Sequence, residues 1–292
     1  MILKTTAFAL PVIAMAGFAS AQEVNYTSID GNYTNLSVSG EDANIFGLAG
    51  SIDYTNSGFV FNGGLSYTDF DGDIDVTVLS FRAGYEVSPD IIIFGGANFL
   101  DTEGFDETIY TLGAEASFGQ FTAGLSFFQV DEDDADTFTA VYGSYRVSDE
   151  LEVAALIETD GDDTITVLGA DFDMGGTTVD ATYTVDEDIY IFGVSGHYDF
   201  GNGFRAGGDY ATFDGEVDFI AVSGGYEVSE NMWVDLSVGR FDLDGEEVDT
   251  LGLEFTFETG GQTLLIDRAE TVQARSLGVA GALLNTGLAF RR

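Results

Sequence analysis

From residue 24 to residue 257 the chain alternates apolar and polar residues in short runs, each bounded by turn-forming or acidic residues. The segment Leu251 to Phe257 shows the pattern most clearly. Leu251, Leu253, Phe255 and Phe257 fall on one side of an extended chain, and Thr250, Gly252, Glu254 and Thr256 on the other, because successive side chains of a strand face opposite ways. One face suits lipid and the other water. Two kinds of connector separate such runs. Tight turns rich in Gly, Asn, Ser, Asp and Pro fall near residues 55–58, 87–90, 117–120, 147–150, 173–176, 200–203 and 228–231. Acidic connectors fall between them, near residues 70–75, 101–107, 131–137, 159–163, 185–188, 213–217 and 243–247.

Each run therefore passes from one class of connector to the other, which predicts an up-and-down meander. The runs are about nine to twelve residues, the length of tilted membrane-spanning strands. Fifteen strands are legible, and a sixteenth between Val24 and Ser39 would make the number even and put both barrel ends on the tight-turn side. The expected fold is all-β, a transmembrane antiparallel up-and-down β-barrel of about 16 strands. Tight turns are assigned to the periplasm and acidic connectors to the outside. The register also predicts two aromatic girdles, with Tyr85, Tyr145, Tyr198 and Tyr226 outward beside the tight turns and Phe70, Phe99, Phe127 and Phe241 flanking the acidic connectors.

Composition changes this picture in three ways. Residues 1–21 read as an export signal, with Lys4 as the positive end, Ala7 to Phe18 as the apolar stretch and Ala19 to Ala21 as the cleavage site. Residues 22–258 form the barrel, and residues 259–292 form a C-terminal extension of different character, carrying Arg268, Arg275, Arg291 and Arg292. This extension is compatible with a periplasmic appendage, a plug or a reading-frame change, with a helix-like composition at Ile266 to Arg275 and a further strand conceivable at Leu283 to Phe290. A net charge of −42 beside 45% hydrophobic residues excludes a disordered chain, since the acids are segregated into connectors. Nucleic acid is excluded as a partner: only four Arg and no Lys lie between Gln22 and Gly260. Cysteine is absent, so packing and strand ladders supply the stability.

The exported meander, the girdles and the closing strand resemble the Gram-negative general porins. The resemblance implies an outer-membrane location, passive diffusion of small hydrophilic solutes, a homotrimer and contacts with outer-membrane lipid and lipopolysaccharide. It also implies that Leu251, Gly252, Leu253, Phe255 and Phe257 form the signal read by the barrel assembly machinery. General porins fold a long third loop into the lumen and set a basic ladder against acids there. This chain has no connector of that length, few basic residues, and 35 residues beyond its closing strand, counting 258–292.

Taking the lipid face from the alternation places Glu86, Glu115, Glu152, Asp180, Asp209, Glu227, Asp235 and Glu254 in the lumen with Arg82, Arg146 and Arg205. This excess of acid predicts a pore weakly selective for cations. The three arginines lie near tight turns, where they would pair with inward acids as rim ion pairs or electrostatic constrictions. No cofactor or metal site is implied: the acidic connectors lack the ligand spacing of a helix-loop-helix calcium site, and read as solvated loops that bridge to lipopolysaccharide through divalent cations. An enzyme is not implied either, since the sole His197 stands two residues from Ser195 on one strand face, about 7 Å along the strand, too far for proton transfer. The rival reading is a non-conducting barrel with a structural or adhesive role.

Overall fold

The computed structural model describes residues 24–38, 41–71, 74–102, 105–131, 137–186, 189–243 and 246–268. Its first eight strands are β1 Val24–Val38, β2 Glu41–Asn56, β3 Phe59–Phe70, β4 Ile74–Ser88, β5 Ile91–Thr102, β6 Phe105–Phe118, β7 Phe121–Val130 and β8 Thr137–Arg146. The second eight are β9 Leu151–Thr159, β10 Thr164–Met174, β11 Thr177–Asp186, β12 Ile189–Asp199, β13 Phe204–Phe213, β14 Val217–Ser229, β15 Met232–Leu243 and β16 Glu246–Gly260. Each pairs antiparallel with its sequence neighbours, and β16 pairs with β1 from Tyr26 opposite Gly260 to Ser37 opposite Asp249. The sheet is thus a closed barrel without an edge, and every strand ladder is satisfied within the chain.

The sixteenth strand is β1, in the interval the sequence assigned to it. Both ends of the barrel chain lie at the tight-turn rim. Strands run from nine residues in β9 to sixteen in β2, longer than expected for several, because hairpins continue to pair beyond the apolar band. Asp242 opposite Glu247 is one such polar continuation. The two-residue turns are chemically specified: Ser57 and Gly58 have φ of 53° and 83°, and Gly175 and Gly176 have 62° and 84°. Positive φ at both central residues is what the hairpin turn matching the strand twist requires.

The outer face is an apolar band that includes Leu79, Phe81, Ile93, Leu112, Val141, Ile157, Leu236, Leu251 and Leu253, all exposed at the barrel exterior. At the tight-turn rim Tyr85, Tyr145, Tyr198 and Tyr226 point outward. Phe59 packs on Tyr85 with ring centroids 4.9 Å apart, and Phe204 on Tyr226 at 5.1 Å. At the opposite rim Phe99 and Phe127 are exposed as expected, but Phe70 and Phe241 are not part of that girdle. Phe70 shares the luminal side of β3 with Val60 and Asn62, and Phe241 is buried inside against Phe219, their centroids 4.4 Å apart. The physical reason is a local apolar cluster of Ile191, Ala211, Phe219, Ala221, Phe241 and Val248 on the inner wall of β12–β16, which reverses the inward-polar rule near the acidic rim. No helix among the described residues is long and apolar enough to cross a membrane.

Candidate functional site in the barrel lumen

Two unlike walls face each other across the lumen. The wall of β11–β16 carries a belt of acids set by register: Asp180 stands opposite Ser195, Ser195 opposite Asp209, and Asp235 opposite Glu254. The Ser195 hydroxyl donates to Asp209 Oδ1 at 2.5 Å. Arg205 binds Asp235 bidentately, with Nε to Oδ1 at 2.8 Å, and its guanidinium lies over the Trp233 ring at 4.5 Å. Gly225 makes this possible, because a Cβ there would stand 2.1 Å from Asp235 Oδ1. Glu254 keeps its side of β16 exposed to the interior, whereas Leu251 and Leu253 point outward.

The other wall, β2–β9, is covered. Beyond Gly260 the chain does not continue outward: residues 261–268 turn into the lumen and end in one helical turn at 265–268. Leu264, Leu265 and Ile266 are buried against Val60, Phe94, Ala140 and Tyr142. Polar groups are matched along the same segment. Thr263 donates its N–H to Asp53 Oδ2 at 2.7 Å and its hydroxyl to Oδ1 at 2.9 Å, while Asn25 Nδ2 donates to the Thr263 hydroxyl at 3.1 Å. Glu115 accepts the N–H of Leu265 at 2.9 Å, the N–H of Ile266 at 3.1 Å and the Tyr142 hydroxyl at 3.0 Å. Arg82 and Asp267 form a buried ion pair, and Arg268 reaches Glu152 at 3.3 Å. The seat is shaped by glycine: a Cβ on Gly113 would meet Phe94 Cζ at 2.4 Å, and one on Gly124 would meet Tyr142 Cζ at 2.3 Å. Both rings reach over the neighbouring strand because those positions have no side chain.

The alternation of each strand gives the luminal side to all eleven residues singled out from the sequence, namely Arg82, Glu86, Glu115, Arg146, Glu152, Asp180, Arg205, Asp209, Glu227, Asp235 and Glu254. The structure separates them by role. Arg205 pairs with Asp235, and Arg146 approaches Glu152 at 3.8 Å from the rim, so two arginines meet inward acids on the wall. Arg82 differs, pairing with Asp267 of the C-terminal segment. Glu227 caps a turn by accepting the Asn231 N–H at 3.2 Å. Asp53 and Tyr142, absent from the sequence-based set, complete the seat; the odd residues of β2 are mostly small, so its inward side was hard to recognise. Residues 269–292, including the stretches to Arg275 and from Leu283 to Phe290, lie outside the described residues, as does the export signal.

Removing the Arg205 guanidinium by Arg205→Ala leaves Asp235 beside Asp209 and Glu254 without its cation. The expected result is a loss of about 2 kcal/mol of stability, read as a lower urea midpoint in detergent. An unchanged midpoint would show that luminal water hydrates the acids fully.

Between the inserted segment and the wall of β9–β11 a cavity of about 320 Å³ remains, lined by Glu152, Asp171, Thr182, Glu258 and Arg268 among others. Among the described residues no three His, Asp or Glu side chains converge as a metal site. In the acidic connectors, Asp160 accepts the N–H of Asp163 at 2.8 Å and of Asp162 at 2.9 Å, and these bonds hold its carboxyl below the usual Asp value. This stabilises a local turn. His197 faces Thr178 and Gly207 across its ladders, and the Ser195 hydroxyl is already committed to Asp209.

This architecture, a closed sixteen-stranded meander with an apolar exterior and a charged interior, is that of a porin-type barrel. Solved structures of the same fold include variants of the Rhodopseudomonas blastica porin, 15% identical with TM-scores of 0.53 and 0.52, covering 79% of this chain and 99% of that one. OpdQ of Pseudomonas aeruginosa is 10% identical with a TM-score of 0.53, covering 82% of this chain and 99% of its own. No family model and no curated protein matches the sequence.

Proposed function

We propose that this chain is an outer-membrane porin, a passive channel for small hydrophilic solutes with a weak preference for cations. The observation that carries the reading is a closed barrel of sixteen strands whose β11–β16 wall presents acids to the interior. Lumen width grows with strand number, so a barrel of this size is wider than its own wall side chains can fill. Fixed negative charge on one wall concentrates cations and repels anions. The pore-lining residues are Glu86, Arg146, Glu152, Asp180, Arg205, Asp209, Glu227, Asp235 and Glu254, while Arg82 and Glu115 stand on the same inner face beneath residues 261–268, and no enzymatic step is involved. The same reading gives export through residues 1–21, recognition of Leu251 to Phe257 by the barrel assembly machinery, insertion among lipopolysaccharide, and a homotrimer.

The test is single-channel conductance of the refolded mature chain in a planar bilayer under a salt gradient. Stable steps with a cation-favouring reversal potential are expected. Replacing Asp209 by Asn and Glu254 by Gln should move that potential toward zero with the barrel intact. An anion preference in the unsubstituted protein would overturn the selectivity, and a folded but silent barrel would overturn the channel and favour a structural or adhesive role.

A further inference from the structure

We infer that residues 261–268 are the constriction of the channel, an element of the chain's own C-terminal side that narrows the lumen and sets which solutes pass. The inference rests on the porin reading above and concerns the part of the lumen that reading leaves unspecified.

Three independent observations converge on it. The first is complementarity of apolar surface. Inward residues of a water-filled barrel are polar as a rule, yet Val60, Phe94, Ala140 and Tyr142 face inward together, and Leu264, Leu265 and Ile266 cover them. Uncovered, that patch would be apolar surface in water, so its composition fits a resident segment. The second is polar matching: Asp53 of β2 engages Thr263, Glu115 of β6 the Leu265 and Ile266 amides, Arg82 of β4 Asp267, and Glu152 of β9 Arg268. A segment merely resting in a wide lumen would not pair with four strands at once. The third is the space at its flank: among the described residues the segment lies against the β2–β9 side, and a cavity of about 320 Å³ adjoins it against β9–β11.

The consequence is an asymmetric opening. One side is the segment, carrying Arg268; the other is wall, carrying Asp171 and Thr182, with the acid belt of β11–β16 beyond. Solutes that pass beside the segment therefore meet Arg268 against Asp171 and Thr182, with small apolar wall residues such as Ala154 and Ala170 between them, in a space at the low end of ordinary ligand-site volumes. Larger neutral solutes that a bare sixteen-stranded lumen would admit are excluded.

The experiment uses the full chain. Leu265→Glu with Ile266→Glu places two charges on the apolar patch and adds acids beside Glu115, which expels the segment without touching the strand ladders. Asp267→Arg does the same by repulsion from Arg82, and serves if the first variant fails to fold. Conductance and the largest polyethylene glycol that enters the pore are compared with the unsubstituted protein, with heat-resistant mobility confirming the barrel. A several-fold rise in conductance with a larger polymer cut-off is expected. In a second arm, cysteines replace Asn25 and Thr263, whose side chains lie 3.1 Å apart, in a chain otherwise free of cysteine. Oxidation should leave conductance at the unsubstituted level, because it fixes the segment where it already sits. Equal conductance and cut-off in the folded expelled variants would overturn the constriction while leaving the channel standing. Silence of every variant, including those with the segment expelled, would overturn the channel reading and the constriction with it.

Discussion

Replacing Gly260 by valine is expected to lower barrel stability by on the order of 3 kcal/mol or more, with a matching fall in the urea midpoint in detergent. Gly260 has φ of +80°, which β-branched residues avoid strongly. It is also the last residue of β16, opposite Tyr26, where the chain leaves the wall and bends inward. A Cβ there would lie 1.7 Å from the Asn25 carbonyl oxygen, a backbone atom that cannot rotate away. That carbonyl also accepts the Gly261 N–H at 3.0 Å, so moving it costs a second contact. The closing seam and the inserted segment are strained by one substitution. Gly261→Val is the control, since a Cβ at that position meets nothing within 4 Å. Equal midpoints for the two variants would sink the assignment of a special backbone role to Gly260.

Glu115→Ala is expected to release the inserted segment. The carboxylate is the acceptor for two buried backbone N–H groups and for the Tyr142 hydroxyl, so its removal strands three donors at once. Each buried donor left without an acceptor costs about 1–3 kcal/mol, which is large against one short segment and small against a sixteen-stranded ladder. The amides of Leu265 and Ile266 should therefore exchange with deuterium at least about 100-fold faster, the equivalent of two factors of ten at about 1.4 kcal/mol each. Amides in the ladders of β5–β7 should hold their protection. Glu115→Gln keeps one acceptor oxygen and should fall between. Unchanged exchange at Leu265 and Ile266 would show that the apolar contacts alone hold the segment.

The barrel was legible in the sequence because its determinants are local. Alternation with a period of two, turn residues such as Ser57, Gly58, Gly175 and Gly176, and segregated acids each specify structure within a few residues. The same locality explains the errors. Phe70 and Phe241 sit at strand ends, where an aromatic was read as a girdle residue although its alternation places it inside. The pairing of the seat with its segment was not legible. Leu265 meets Glu115 across 150 residues and Thr263 meets Asp53 across 210, separations at which no periodicity carries a signal. Glu115 and Arg82 were recognised as inward, but their partners could not be, since a segment lacking alternation offers no face to match. The change of character after residue 258 marked where to look, and only the closed barrel shows what the segment touches.

The partners of the inserted segment come from β2, β4, β6 and β9, so the complete seat exists only where those strands stand together in one wall. The segment itself follows β16, the strand whose pairing with β1 completes the cylinder. One chain thus specifies two widths: a broad cylinder set by its sixteen strands, and a narrower passage set by the short segment that follows them.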